Sequence, residues 1–402
     1  RGQIVKTEVT EGGKTRTSRN IYDENGLLKY TVDNMGNITT YVYDSHGNVI
    51  CVTDPEGNRT YTEFDENGRK IKQKRVARSG EEIITGFAYY DNGLLKNIVA
   101  DNGGTTTWIY NEKGQLKEEQ LPGNKIKKYE YNTDETVHKF TDQNQTEILY
   151  AYDSQKRVTQ KTITRAAGVE GTTVQTFSYN DTARTVTMTD NNDPNNADDD
   201  SSITIKSDTL GRTRLDSQTF RGVTRNVALG YDKVSNLKTL YYPSLDKTIT
   251  RHYDNLHRLD AVASGSTTVA SWSYTGLRRT SMTYGNGIST TFTYDNNLRM
   301  REMNHSGNVG GYQYNYDKVG NKLFEVDMRK QENNRSFAYD DFYRLKKTWY
   351  GVTNSYLQGV ENAIDTMQQT QQTNGNNLQN STDTPQRAAL NISEPDTFTA
   401  SS

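Results

Sequence analysis

Residues 39–50 read TTYVYDSHGNVI, and nearly every letter of that run has a local physical reason to be there. Thr39, Thr40, Tyr41, Val42 and Tyr43 are β-branched or aromatic, which suits a pleated strand, and alternation puts Tyr41 and Tyr43 on one face and Val42 on the other. Asp44 fits the first position of a type I turn, where its carboxylate can accept nearby backbone N–H groups. Gly47 fits the last position, where a left-handed backbone closes the hairpin through a bulge. Residues 49–53 then read as the return strand.

The same unit recurs along the chain. Its aromatic mark falls at Tyr22, Tyr43, Phe64, Tyr90, Tyr110, Tyr131, Tyr152, Tyr179, Ser207, Tyr231, Tyr253, Tyr274, Tyr294, Tyr316 and Tyr339, with Ser207 the one non-aromatic copy. The pair Tyr-Asp is kept more strictly than the glycine. It is Tyr22-Asp23 with Gly26, Tyr43-Asp44 with Gly47, Tyr90-Asp91 with Gly93, Tyr316-Asp317 with Gly320, and also Tyr152-Asp153, Tyr231-Asp232, Tyr253-Asp254, Tyr294-Asp295 and Tyr339-Asp340. Where the glycine is replaced, by Lys156, His257 or Tyr343, a left-handed backbone carries a cost, so those turns are expected to take another geometry. A second punctuation sits half a unit on, as in DNMGN at 33–37 and DPEGN at 54–58. Two strands and two turns account for about 15 repeats of roughly 21 residues, and wider spacings mark insertions near 73–83, 162–173 and 190–202.

Composition fits a thin wall better than a thick globule. Of 402 residues, 32% are hydrophobic, the mean hydropathy is −0.93, and 27 are tyrosine, so little volume is available for an oily interior. Low hydrophobicity alone would suit disorder, but a net charge of −2, abundant tyrosine and periodic polarity favour order. The balance of 48 basic and 50 acidic residues leaves no electrostatic footprint for nucleic acid or an anionic membrane surface. There is no apolar run of helical membrane-spanning length. The chain opens on Arg1 and reads as part of a longer polypeptide. Cys51, in the alternating run NVICVT, reads as a small hydrophobe.

The units YDSHGNVICVTDPEGNRTYTEFDENGRKI and YDKVGNKLFEVD resemble the RHS/YD-repeat family, which includes bacterial polymorphic toxins, toxin-complex cocoons, wall-associated proteins and, distantly, the teneurins. The resemblance runs from Ile21 to Tyr350. It implies an all-β fold, a spiralling sheet of YD-repeat hairpins forming part of a hollow shell, over residues 1–350. It also implies a secreted or cell-surface, non-enzymatic protein whose partner is a C-terminal effector domain of the same parent chain. Family shells usually end in a self-cleaving segment with Asp-Pro-x-Gly motifs, and none follows Tyr350; TDPEG at 53–57 occupies an ordinary half-unit turn.

Residues 351–402 lack the repeat and, rich in Gln, Asn, Thr and Ser, read as a polar linker or tail, mostly disordered. A short helix over 357–371 is suggested by Leu357, Val360, Ile364 and Met367 at helical spacings. An effector would then lie past Ser402.

Few residues invite a chemical role. His46, His138, His252, His257 and His305 are scattered, and no nucleophile elbow, zinc-protease or phosphate-loop motif is present, so no catalytic or cofactor residues are assigned. The insertion TDNNDPNNADDD crowds Asp190, Asn192, Asp193, Asn195, Asp198, Asp199 and Asp200 together, the hard oxygens calcium prefers. It lacks the EF-hand glycine and glutamate, so a solvated loop is the favoured reading there. A second functional class stays open: an extracellular adhesion or carbohydrate-binding surface, in which tyrosine faces stack on cell-surface glycans.

Overall fold

Strands Ile38–Tyr43 and Val49–Thr53 pair antiparallel, Tyr41 opposite Val52 and Val42 opposite Cys51, and the register then slips so that Tyr43 faces Val49. That slip is the bulge expected beside a left-handed turn residue, and Gly47 supplies it at φ 87°. Asp44 N–H donates to Asn48 O at 3.0 Å and Gly47 N–H to Asp44 O at 3.2 Å, which closes the turn. The same slip precedes Tyr22, Phe64, Tyr110, Tyr131, Tyr152, Tyr231, Tyr253, Tyr294, Tyr316 and Tyr339.

The computed structural model describes residues 3–11, 14–191, 200–307 and 309–390. Among these are 31 strands, in antiparallel hairpin after hairpin, so the all-β YD-repeat architecture expected from the alternation is the one present. The wide spacing after Phe64 is not an excursion of the chain. It is absorbed by long strands, Lys70–Val76 and Glu82–Tyr89, which stay in register up to Val76 opposite Glu82.

The chain divides into two units, residues 87–271 and residues 1–86 together with 272–402. In the first of these Ala270 is the one buried hydrophobic side chain among the described residues, so it is a single layer with no apolar interior. The second has two apolar clusters. Ile21, Tyr30, Val32, Ile38 and Leu378 form one; Phe324, Val352, Leu357, Val360, Ile364 and Met367 form the other.

Both clusters draw on the C-terminal segment, where the expected polar and mostly disordered tail gives way to ordered structure. A helix spans Asn354–Asn377, longer than the expected 357–371, and buries Leu357, Val360, Ile364, Met367, Gln371 and Gly375 along one stripe. Residues 378–390 continue along the same unit. The last two buried positions are not hydrophobic, which is why the apolar spacing stops short of the helix's real end.

A second expectation is also corrected. Lys156, His257 and Tyr343 do not change the turn; they take the glycine's left-handed backbone at φ 61°, 60° and 69°, with the closing bonds to Asp153, Asp254 and Asp340 intact at 2.9–3.0 Å. Glu135, in the Asn132–Thr136 turn, does the same at φ 74°. The hairpin on either side fixes the geometry, and the residue bears the strain. Replacing exposed Glu135 by glycine should therefore stabilise the chain by about 1 kcal/mol, and Gly47→Ala should destabilise it by about as much. Urea unfolding midpoints of the two variants, moving in opposite directions, would check this.

Candidate functional site

The recurring turn is built around one carboxylate. Asp44 Oδ1 accepts the N–H groups of His46 and Asn48, both at 2.9 Å, while Oδ2 accepts Asn48 Nδ2 at 2.9 Å. Asp153, Asp232, Asp254, Asp317 and Asp340 hold the same pair of N–H groups, two and four residues on, at 2.7–3.1 Å. Asp23 holds those of Asn25 and Leu27, and Asp295 that of Arg299. These bonds favour the ionised form. The hydrogen bond from the Asn48 amide holds the Asp44 carboxyl below the usual range, and the backbone N–H of the residue four positions on does the same for Asp65, Asp153 and Asp340.

The tyrosine hydroxyl is not left to water. Tyr43 donates to Leu28 O at 2.7 Å, and Leu28 is the first residue of the preceding return strand. Tyr110, Tyr131, Tyr152, Tyr179, Tyr231, Tyr253, Tyr316 and Tyr339 repeat this with Leu95, Leu116, Val137, Val158, Thr213, Leu237, Met300 and Lys322, at 2.7–3.0 Å. Tyr294 reaches Arg279 O, and Tyr22 reaches back to Ile4 O. Each of these repeats thus clips onto the one before it.

One copy is out of frame. Tyr90, not Asp91, opens its turn: Tyr90 N–H donates to Leu94 O and Gly93 N–H to Tyr90 O, both at 2.9 Å. Gly93 still closes the turn at φ 86°, and Asp91 is an exposed second residue. The Tyr90 hydroxyl points the other way along the chain, to Trp108 O at 3.1 Å.

A residue that pattern reading overlooked completes the unit, four positions after the aspartate. In three copies it is an arginine that serves two repeats. Arg157, Arg212 and Arg299 each donate Nε to their own aspartate, Asp153, Asp208 and Asp295, at 2.7–2.8 Å. Their guanidiniums lie over the ring of the next repeat's tyrosine, Tyr179, Tyr231 and Tyr316, 4.2–4.8 Å from its centre. They also reach the next turn, at Asp181 Oδ1, Ser235 Oγ and Asp317 O. The signal was visible as Asn or Arg directly after the turn glycine or the residue that replaces it, as in Lys156-Arg157 and Leu298-Arg299.

In the unit that joins residues 1–86 with 272–402, two rows of turns meet. Asn297 Nδ2 donates to Asp33 Oδ2 at 2.7 Å, Asn58 Nδ2 to Asp341 O at 2.8 Å, and Tyr343 hydroxyl to Asp54 Oδ2 at 2.5 Å. Arg75 stacks over Phe342. Between the rows lies Lys318, its side chain 1% exposed, with Pro55 O at 3.2 Å, Glu56 Oε2 at 3.3 Å and Ala388 O at 2.6 Å. Burial raises the Glu56 and Asp317 carboxyls above their usual values, and burial with the Asp54 charge raises the Tyr343 phenol. Asp317 is thus the repeat aspartate whose environment reverses the usual direction. A cavity of about 490 Å³ adjoins this line, walled by Phe337, Tyr339, Trp349, Tyr356 and Leu390 with Asp341 and Arg78.

The calcium candidates Asn192, Asp193, Asp198 and Asp199 lie outside the described residues; Asp190 stands at the end of one strand, opposite Ser201 at the start of the next, and Asp200 immediately precedes that second strand. No group of three or more metal-binding side chains forms among the described residues. His257 sits in its turn beside Asn236 Nδ2 at 3.2 Å, and His46 is an exposed turn residue. No helix among the described residues is long and apolar enough to cross a membrane.

Residues 1–127 match the family model described as the teneurin YD-shell. Among solved structures, the TcdB2-TccC3-Cdc42 crystal structure aligns at a TM-score of 0.62 and 12% identity, over 85% of this chain and 22% of that one. TcdB2-TccC3-TEV aligns at 0.60 and 12%, over 83% and 21%. The Photorhabdus luminescens Tc holotoxin pore aligns at 0.50 and 11%, over 88% and 23%. The chain therefore spans about a fifth of the length of these proteins. No curated protein sequence matches it.

Two predictions follow from the turn chemistry. Arg212→Ala and Tyr231→Leu should each destabilise by about 1–2 kcal/mol, from lost hydrogen bonds and ring stacking. Because the two side chains touch, a double-mutant cycle read by urea unfolding should give a coupling of about 0.5–1 kcal/mol, and strict additivity would contradict the contact. The second concerns pH. Carboxyls held low in the fold contribute stability above their unfolded value, lost as pH falls through the folded one; Glu56 and Asp317, held high, cost stability when ionised and return it as they protonate. Thermal stability should thus rise on mild acidification from neutral and collapse below about pH 4. Glu56→Gln should flatten the rise and leave the collapse.

Proposed function

We propose that this chain, whose YD repeats and teneurin YD-shell match over residues 1–127 place it with RHS/YD-repeat proteins, is a length of shell wall, a non-enzymatic scaffold that encloses and presents an effector domain carried C-terminally in the same parent chain. Its site of action is outside the producing cell, secreted or at the cell surface, as in a polymorphic toxin. Residues 1–350 supply the wall in this reading.

The observation that supports it best is how the recurring side chains are used. Tyrosine hydroxyls are committed to the preceding strand, aspartates to their own turns, and arginines to the following ring and turn. Chemistry of this kind joins neighbour to neighbour, as a wall requires, instead of converging on a reacting group. The Photorhabdus luminescens structure that shares the fold is a Tc holotoxin by its own description, which is why an enclosed effector is the partner proposed. A glycan-binding surface has less support, since the repeat tyrosines that would stack on sugars are partly buried and hydrogen-bonded.

The test is a protease-sensitive passenger domain fused after Ser402 of the full chain. Enclosure predicts that the passenger survives a protease dose that destroys it when free, and that Tyr131→Ala with Tyr152→Ala exposes it. Equal digestion of free and fused passenger would overturn the reading. Saccharide preference on a glycan array would favour the adhesion class instead.

A further inference from the structure

The helix Asn354–Asn377 is poorly suited to stand alone. Its sequence, NSYLQGVENAIDTMQQTQQTNGNN, carries Gly359 and Gly375 and is rich in Asn and Thr, whose helix propensity is modest. It is ordered by what it touches, and it touches both ends of its unit.

At one end, Leu357, Val360, Ile364 and Met367 pack on Phe324 and Val352, and Glu361 pairs with Arg301. These contacts bind the helix to the last hairpins. At the other end, the helix crosses the Asp33–Asn37 turn at a point where neither backbone has room for a side chain. A Cβ on Gly375 would stand 2.8 Å from Gly36 O, and one on Gly36 would stand 2.5 Å from Gln372 Cα. The crossing is pinned by Gln371, which is completely buried. Its Nε2 donates to Gly36 O at 3.1 Å, and its Oε1 accepts Ala388 N–H at 2.7 Å.

Past the helix, the run 378–390, neither helix nor strand, makes its own attachments to the first hairpins. Leu378 enters the cluster of Ile21, Val32 and Ile38. Tyr30 hydroxyl donates to Asp383 O at 3.2 Å. Arg387 donates Nε to Asp54 O at 3.1 Å and NH2 to Thr40 Oγ1 at 3.0 Å. Ala388 O then accepts from Lys318, the buried cation between the two rows of turns.

We infer that residues 353–390 are a clasp: a segment that folds only when docked, fastens the first hairpins to the last, and opens the line between the Asp54–Asn58 and Asp340–Arg344 turns when it lets go. The reasoning is one of linkage. If the helix depends on Gly36 and the hairpins of residues 300–350 together, then loosening either attachment loosens the other, and the segment opens as one unit below the free energy that unfolds the wall. The inference concerns the chain's own fastening and holds whether or not anything is enclosed.

Hydrogen–deuterium exchange on the full chain tests it, with three variants. Gly375→Val blocks the crossing, while Gln371→Ala and Arg387→Ala remove attachments without crowding the backbone and so keep the test valid if Gly375→Val misfolds. The expected result is at least tenfold faster exchange, in step, across the helix and the turns at 33–37, 54–58 and 340–344, with the Asp153–Arg157 turn unchanged. Faster exchange in the helix alone would overturn the inference, making the segment a passenger on the last hairpins. Unchanged exchange in all three variants would overturn it too.

Discussion

The capture of backbone N–H groups by a single carboxylate recurs from Asp23 to Asp340, and the rest of the wall depends on it. A one-layer sheet has no apolar interior to hold its reversals in shape, so each exposed turn is fixed by its own local hydrogen bonds. The aspartate does this with two N–H groups at once, and its second oxygen then takes the side chain four residues on. That second bond aims an arginine at the neighbouring ring. A local solution to turn chemistry is thereby converted into cohesion between repeats, with no apolar core required.

That arrangement explains why the turn glycine is kept less strictly in this chain than Tyr-Asp. The turn geometry is set by the carboxylate and by the strand register, so Lys156, His257 and Tyr343 are held in a backbone conformation they would not choose. Each uses its side chain for something glycine cannot reach. Lys156 Nζ donates to Asp134 O at 2.7 Å, His257 meets Asn236, and Tyr343 reaches Asp54. Backbone strain at these turns coexists with contacts to a neighbouring or distant turn, as expected where surrounding structure over-determines a residue.

Fold class, repeat period and turn positions were legible from TTYVYDSHGNVI because period-two alternation and turn residues are local signals. What was not legible has physical reasons. The hydroxyl-to-carbonyl clip depends on how far a tyrosine reaches across to the previous hairpin, which no spacing encodes. The frame at Tyr90 was misread because Tyr89 and Tyr90 are both aromatic and only the closing bonds distinguish them. The C-terminal segment was misread because part of its order comes from partners more than 300 residues away: Gln371 and Gly375 look like solvated residues until Gly36 stands against them.

Such distant contacts also change how the chain must be stable. Where each repeat touches only its neighbours, stability is a sum of near-identical local terms and a weak repeat opens alone. The contacts joining Asp33 to Asn297, Pro55 to Lys318 and Asp54 to Tyr343 break that rule, because the chain between them must already be in place before they can form. Closing so long a loop costs entropy that a few exposed hydrogen bonds would not offset. Burial is what tips the balance: Lys318 is almost wholly enclosed, and the segment whose Ala388 O it reaches also contributes to both apolar clusters of its unit. The long-range line and the C-terminal segment are therefore one cooperative feature, and it is there, more than in any single repeat, that the unit's order is decided.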